Sequence, residues 1–290
     1  MMLAVNLSRT PALALVAATA LILAAGCARD KRPLIERINA YRTSPQTCAG
    51  KPTAVLGPLA PVDQLAQVDV TSAASSLTEA LKRAGYAAAR AQAIVITGPT
   101  NPAKAMEILK DRYCEVLSSA QFSEIGIAWE GRTWRLVVAQ PLLSADLGGW
   151  RAAGREVLEL VNEARSQPRN CGSEHFAAAS PLAWNEKLAS AAIAHSRDMA
   201  QRNYFAHAAQ DGSTVRDRAD RAGYEWQRIA ENIATGQGSP KQVVSGWLAS
   251  PGHCVNVMQP DFAHMATAYV MNLESANLIY WTQVFGTPRP

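Results

Sequence analysis

Apolar residues recur at helical spacing in the second half of the chain. Val157, Leu160, Val161 and Ala164 form one stripe, and Leu188, Ala192, His195 and Met199 form another. Both predict amphipathic helices. Residues 216–222 read as a short helix stopped at Gly223, and Ser239-Pro240 opens a further helix carrying Val243, Val244 and Trp247. After Cys254 the pattern changes to short β-rich runs at 265–271 and 278–285. In the first half the matching runs, 125–129 and 133–138, are separated by Glu130-Gly131-Arg132, a tight hairpin signal. Helices first and an antiparallel hairpin last predict an α+β fold with helices packed on a small sheet.

The two halves align with one another. Residues 34–42 followed by Cys48 lie over 157–165 followed by Cys171, and Pro58-Leu59 falls on Pro181-Leu182. Further on, Arg83-Ala84-Gly85-Tyr86 repeats as Arg221-Ala222-Gly223-Tyr224, Cys114 falls on Cys254, and Phe122 on Phe262. Chance similarity among Ala-rich helices explains single matches but not their common order. The pattern predicts a tandem duplication in which the first copy lacks a block of about fifteen residues after Val70. Four cysteines alone allow three pairings, but each copy owns one pair, so the repeat selects Cys48–Cys114 and Cys171–Cys254. Each bridge is expected to contribute about 4 kcal/mol in the chain-entropy picture.

Part of the apolar content is local. Residues 11–26 hold no charge and follow a stretch whose only charge is Arg9, which reads as a secretory signal. Its end, Leu23-Ala24-Ala25-Gly26-Cys27, resembles the lipobox of bacterial lipoproteins, with Ala24 where that pattern usually has Leu. The resemblance implies cleavage before Cys27 and acylation of its thiol, anchoring the protein to a membrane. Ala28 after the cysteine implies outer-membrane sorting, facing the periplasm or the cell surface. Ordinary secretion with Cys27 as a spare thiol is the alternative. The expected division is a signal peptide at 1–26, a lipidated N-terminus and linker at 27–32, a degenerate domain at 33–148 and a second domain at 149–290. At 48% hydrophobic and 18% charged the chain is no disordered segment, and a net charge of +4 spread along it excludes nucleic acid as an expected partner.

Four strings in the second half carry a signature. These are Tyr204-Phe205-Ala206-His207, Ala230-Glu231-Asn232-Ile233-Ala234, Trp247-Leu248-Ala249-Ser250-Pro251-Gly252-His253-Cys254-Val255-Asn256, and Tyr280-Trp281-Thr282-Gln283-Val284-Phe285-Gly286. In this order they resemble the bacterial branch of the CAP superfamily, also called SCP or PR-1-like, over about 150–286. Ala230 stands where the family usually has Gly. The resemblance implies an α-β-α sandwich with a shallow cavity lined by His and Glu, in secreted or surface proteins of diverse roles, lipid or sterol binding among them, with no single shared reaction. By duplication the first copy is similar to a degenerate CAP-like domain. The expected fold is therefore α+β, with two tandem α-β-α sandwich domains, each a small antiparallel sheet flanked by helices.

His207, Glu231 and His253 come from separate segments that only a fold can bring together. Two neutral imidazoles and a carboxylate suffice for an open Zn²⁺ site, to which His264 would add a fourth ligand. The competing reading is a hydrogen-bonded polar cluster that fixes the cavity wall. The first copy has Ala93, Tyr113 and Glu124 at the positions of Glu231, His253 and His264, so any cavity chemistry belongs to the second. His195 lies on an apolar stripe and reads as a core histidine; His175 has no evident partner. Ser250 would complete a Ser-His-Glu hydrolase with His253 and Glu231, but it also reads as a helix-end residue, and no Gly-x-Ser-x-Gly elbow occurs. Trp247 and Trp281 read as core. Arg216, Arg218 and Arg221 interleave with Asp217 and Asp220 and read as a solvated helix face. The function expected is a non-enzymatic envelope lipoprotein binding a small apolar or polymeric ligand, a lipid or an envelope polymer, with no cofactor required. The alternative is a metal-dependent hydrolase acting on peptide or envelope material through His207, Glu231 and His253, and a purely structural envelope role is the third reading.

Overall fold

The computed structural model describes residues 30–70, 76–142 and 147–290; the signal segment and Cys27 lie outside the described residues. The first unit runs α1 (Arg32–Arg42), a hairpin of β1 (Gln46–Cys48) and β2 (Lys51–Thr53), β3 (Ala60–Pro61), α2 (Asp63–Ala66), α3 (Leu77–Arg83), β4 (Ala88–Thr97), α4 (Pro102–Leu117), β5 (Glu124–Glu130) and β6 (Thr133–Pro141). The second runs α5 (Trp150–Arg165), a hairpin of β7 (Arg169–Cys171) and β8 (Glu174–Phe176), β9 (Ala183–Trp184), α6 (Glu186–Arg202), α7 (Val215–Arg221), β10 (Trp226–Thr235), α8 (Pro240–Leu248), α9 (Pro251–Met258), β11 (His264–Met271) and β12 (Ile279–Pro288). The two larger sheets have the same topology, β3-β5-β6-β4 and β9-β11-β12-β10, mostly antiparallel with one parallel edge strand. No helix among the described residues is long and apolar enough to cross a membrane.

Local sequence sets these elements. The Asn185 side chain caps α6 by accepting from the Lys187 and Leu188 amides, and Asn203, in the left-handed region at φ 50°, ends it. Prolines follow the caps Asn101 and Ser239 at the starts of α4 and α8. Gly131, at φ 58°, turns β5 into β6.

Alternation along the strands of the second sheet divides its faces. Val284, Ala266 and Ala268 pack against α6 and α7, while Trp281, Phe285 and Met265 pack against α5, α8 and α9. This is the α-β-α sandwich. In the first unit α1 and α4 cover one face, through Ile38, Leu109, Ile127 and Leu136, and the short helices α2 and α3 cover the other, through Leu65, Leu81 and Val137. The one-turn α2 occupies the place of the seventeen-residue α6. It lies so low on the sheet that a Cβ at Gly126 would come within 2.1 Å of the Leu65 carbonyl carbon.

The interior contacts of the units correspond pair by pair. Asn39 accepts from the Leu59 amide and donates to its carbonyl, as Asn162 does with Leu182. The Arg42 guanidinium donates to the carbonyls of Gly57, Leu117 and Ser119, and Arg165 to those of Ser180, Val257 and Gln259. The Trp134 and Trp281 indoles donate to the carbonyls of Pro99 and Gln237. The bridges are Cys48–Cys114 and Cys171–Cys254, with Cα atoms 5.5 and 5.4 Å apart.

The two units meet through buried polar contacts. Gln237 donates to the Pro58 carbonyl at 2.8 Å, the Ser123 hydroxyl to the Gly236 carbonyl at 2.9 Å, and Asn39 to the Ala249 carbonyl at 3.1 Å.

Candidate functional site

Glu231 sits on β10, the free edge strand of the second sheet, on the face covered by α6 and α7. Its side chain is 2% exposed, and both oxygens are engaged. His207, from the loop after α6, donates from Nδ1 to Oε1 at 2.9 Å, and Arg218 of α7 donates to Oε2 at 2.8 Å. His195 of α6 approaches Oε1 to 3.8 Å while its Nε2 donates to the Ala206 carbonyl at 2.9 Å. Burial alone would raise the Glu231 pKa, but the His207 hydrogen bond and the nearby charges of His195 and Arg218 outweigh it, and the carboxyl is held below its ordinary value. Burial lowers the His195 pKa, against the opposing pull of the Glu231 charge. The result is a charge-compensated buried carboxylate, with His207 exposed to solvent at its outer end.

Arg218 corrects the sequence reading. It is not on a solvated helix face: it is buried, and it also donates to the carbonyls of Ser213 and His207, tying the loop before α7 to Glu231. The signal was its helical spacing, which puts Arg218 beside Ala219 and in line with Val215 and Ala222, against the impression given by its acidic neighbours. His195 is buried in the core as the apolar stripe predicts, and at the same time it belongs to the cluster.

His253 reaches the same place from the other face of the sheet, on α9. Asn232 points to that face and donates to the Gln283 side chain at 3.0 Å and to the His253 carbonyl at 3.2 Å. Asn256 donates to Asn232 at 2.9 Å and to the Glu231 carbonyl at 3.3 Å. The consecutive Glu231 and Asn232 thus anchor different layers, the carboxylate to α6 and α7, the amide to α9. The His253 imidazole is buried, its Nδ1 has no partner, and burial, reinforced by the charge of His207, pushes its pKa down to about 3.

His207 and His253 line one cavity of about 210 Å³ with Phe205, Ala206 and Ile233. The remaining lining residues, Thr43, Val55 and Leu56, belong to the first unit.

His264 is not brought to this group. It opens β11, where the Tyr224 hydroxyl meets its Nδ1 at 2.9 Å. The corresponding residues of the first unit, Tyr86 and Glu124, are hydrogen-bonded to each other as well, so this pair fastens the segment before the edge strand to the sheet in both units. Ser250 is buried at the start of α9, with only backbone bonds to Trp247 and Cys254, and forms no relay with His253. His175 bonds Asn170 at 2.7 Å across the β7–β8 hairpin. Trp247 and Trp281 are fully buried core residues.

The donor set does not fit a metal ion. A guanidinium and an imidazole N–H occupy the two Glu231 oxygens, and among the described residues no group of three or more His, Cys, Asp or Glu side chains is arranged to hold one.

With this geometry in view, residues 158–285 match the CAP family, the cysteine-rich secretory protein family. That match lies wholly within the second unit. The chain is 34% identical over 131 residues to the uncharacterized protein YkwD of Bacillus subtilis (strain 168), covering 45% of this chain and 46% of that protein. It is 31% identical over 98 residues to the uncharacterized membrane protein YlbC of the same organism, covering 34% and 28%. The chain thus spans less than half the length of these curated relatives. Among solved structures, an extracellular SCP-domain protein from Bacillus anthracis str. Ames aligns at TM-score 0.40 and 24% identity over 56% of each chain. An outer surface protein from Borrelia burgdorferi aligns at TM-score 0.37 and 18% identity, over 47% of this chain and 89% of that one.

Proposed function

We propose that the chain is an exported envelope lipoprotein, anchored through Cys27, in which a duplicated CAP unit provides a non-enzymatic ligand-binding cavity in its second copy. The observation that carries the binding reading is the state of Glu231. Its carboxylate is 2% exposed and lies against the Arg218 guanidinium at 2.8 Å with a second bond from His207, so a metal cation or a substrate proton would compete with a fixed cation for a buried group. Its role is to hold His207 and the loop before α7 in place around the cavity, while the His253 imidazole forms part of the cavity wall. The duplication reading is supported by the pairwise equivalence of the Asn, Arg, Trp and disulfide contacts between the units. The domain division at 33–148 and 149–290 follows from it.

Zinc titration of the protein, followed by calorimetry and by hydrolysis assays on peptide and cell-wall fragments, tests the reading against a metal-dependent hydrolase. The expected result is no stoichiometric zinc binding and no activity that His207→Ala or His253→Ala removes. Tight zinc binding lost in both variants, together with lost hydrolysis, would overturn it. The anchor is tested separately: Cys27→Ser is expected to release the protein from the membrane fraction.

A further inference from the structure

The cavity of the CAP unit is completed by the other unit. Its shape is set at the free edge of β10, where Phe205, His207, Ile233 and His253 leave one side open, and Thr43, Val55 and Leu56 close that side. The segment that does so is clamped at consecutive residues. The Leu56 amide donates to the Arg42 carbonyl at 2.8 Å, Arg42 Nε donates to the Gly57 carbonyl at 3.0 Å, and Gln237 of the second unit donates to the Pro58 carbonyl at 2.8 Å. Gly57 lies so close to β10 that a Cβ there would stand 3.1 Å from the Thr235 amide nitrogen.

Comparison with the equivalent segment of the second unit shows what is particular about this one. There the Ala179 amide donates to the Arg165 carbonyl at 2.8 Å and Arg165 Nε to the Ser180 carbonyl at 2.8 Å, so the backbone is held in the same way. The side chains differ: Val55, Leu56 and Gly57 stand where the second unit has Ala178, Ala179 and Ser180. The first unit thus carries apolar bulk where it meets the cavity and lacks a side chain where the backbones touch.

We propose that the first unit is a fixed selectivity wall for the CAP cavity, in which Val55 and Leu56 limit the ligand to a small, largely apolar molecule with one polar group for His253. This rests on the binding reading above and gives it a size class. A volume of about 210 Å³ lies just above the roughly 150 Å³ of an apolar cavity that takes benzene and below the roughly 300 Å³ at which drug-sized pockets begin. A phenol-sized molecule fits. An extended peptide, a sugar polymer or a whole acyl chain requires that Val55 and Leu56 be absent or smaller. Because the segment is bonded on both sides, it acts by exclusion and not by opening and closing.

Phenol and 4-hexylphenol serve as probes, titrated into the complete protein while the imidazole ¹⁵N signals of His253 and His264 are followed by NMR. His264, bonded to Tyr224 away from the cavity, reports that the unit is folded. Phenol is expected to move the His253 signal alone, with 4-hexylphenol binding about tenfold more weakly. Leu56→Ala and the milder Val55→Ala are each expected to shrink that gap severalfold with His264 unchanged. If both variants keep the full gap, or wild type binds the two probes equally, the wall is wrong although the cavity still binds. If neither probe moves His253 in any form, the binding reading itself fails and the wall with it.

Discussion

Burial sets the state of His253 at the cavity, and the consequence is a pH dependence with a definite sign. An imidazole titrates near 6.5 in the unfolded chain, whereas burial, and after it His207, holds His253 near 3 in the fold. A lowered folded pKa contributes stability above pH 6.5 and loses it as pH falls toward 3, by up to roughly 4 kcal/mol. Glu231, also held below its ordinary value, loses its contribution at lower pH as its carboxyl protonates. The distinctive signature is loss that begins above the carboxylate range. His253→Gln is expected to flatten the fall in urea midpoint between pH 7 and 4.5; parallel curves for variant and wild type would refute the assignment. The residues His207, Glu231 and His253 were legible because each lies in a motif that survives without context. Arg218 was masked by its acidic neighbours: its alignment with Val215 and Ala222 marks an inward face, but the buried carboxylate that makes an arginine tolerable there comes from β10 and is not visible locally.

At the scale of elements, hydrophobic period located α5 and α6, and short β-rich runs located the strands β5, β6, β11 and β12, which lie in the middle of sheets covered on both faces. It did not find β10 as a strand. That strand carries Arg228, Glu231 and Asn232, and its buried polar groups are satisfied on both faces, by α7 on one and α9 on the other, which erases the alternation. The three-residue hairpins β1–β2 and β7–β8 are too short for any period. The missing block after Val70 was visible as a gap, and the structure gives its mechanical result: α2 takes the place of α6 and rests directly on Gly126. The second unit has Ala266 at the equivalent position, fully buried beneath α6. Gly126→Ala is therefore expected to cost about 1–3 kcal/mol, because backbone and not a side-chain tip must yield. Ala266→Gly, which removes only a methyl, should cost less than its counterpart. Chemical denaturation of both variants checks the ordering.

Across the whole molecule, the contact between units depends on buried polar groups, of which Gln237 is the most committed. It is fully buried, donates to Pro58, and its carbonyl receives the Trp281 indole. Gln237→Ala strands the Pro58 carbonyl without removing the Trp281 bond, so a loss of about 1–3 kcal/mol is expected. Calorimetry should also show unfolding broaden or split as the units uncouple; an unchanged transition would mean that the remaining contacts, Ser123–Gly236 and Asn39–Ala249 among them, couple the units without Gln237. The segment from Val55 to Pro58 carries a practical consequence for anyone dissecting the chain. Expressing 149–290 by itself yields a protein with every signature motif intact, yet its cavity has lost a side. Ligand screens on that fragment would select molecules for an opening that the complete protein never presents, and inactivating substitutions found at Leu56 or Gly57 would be credited to the wrong half.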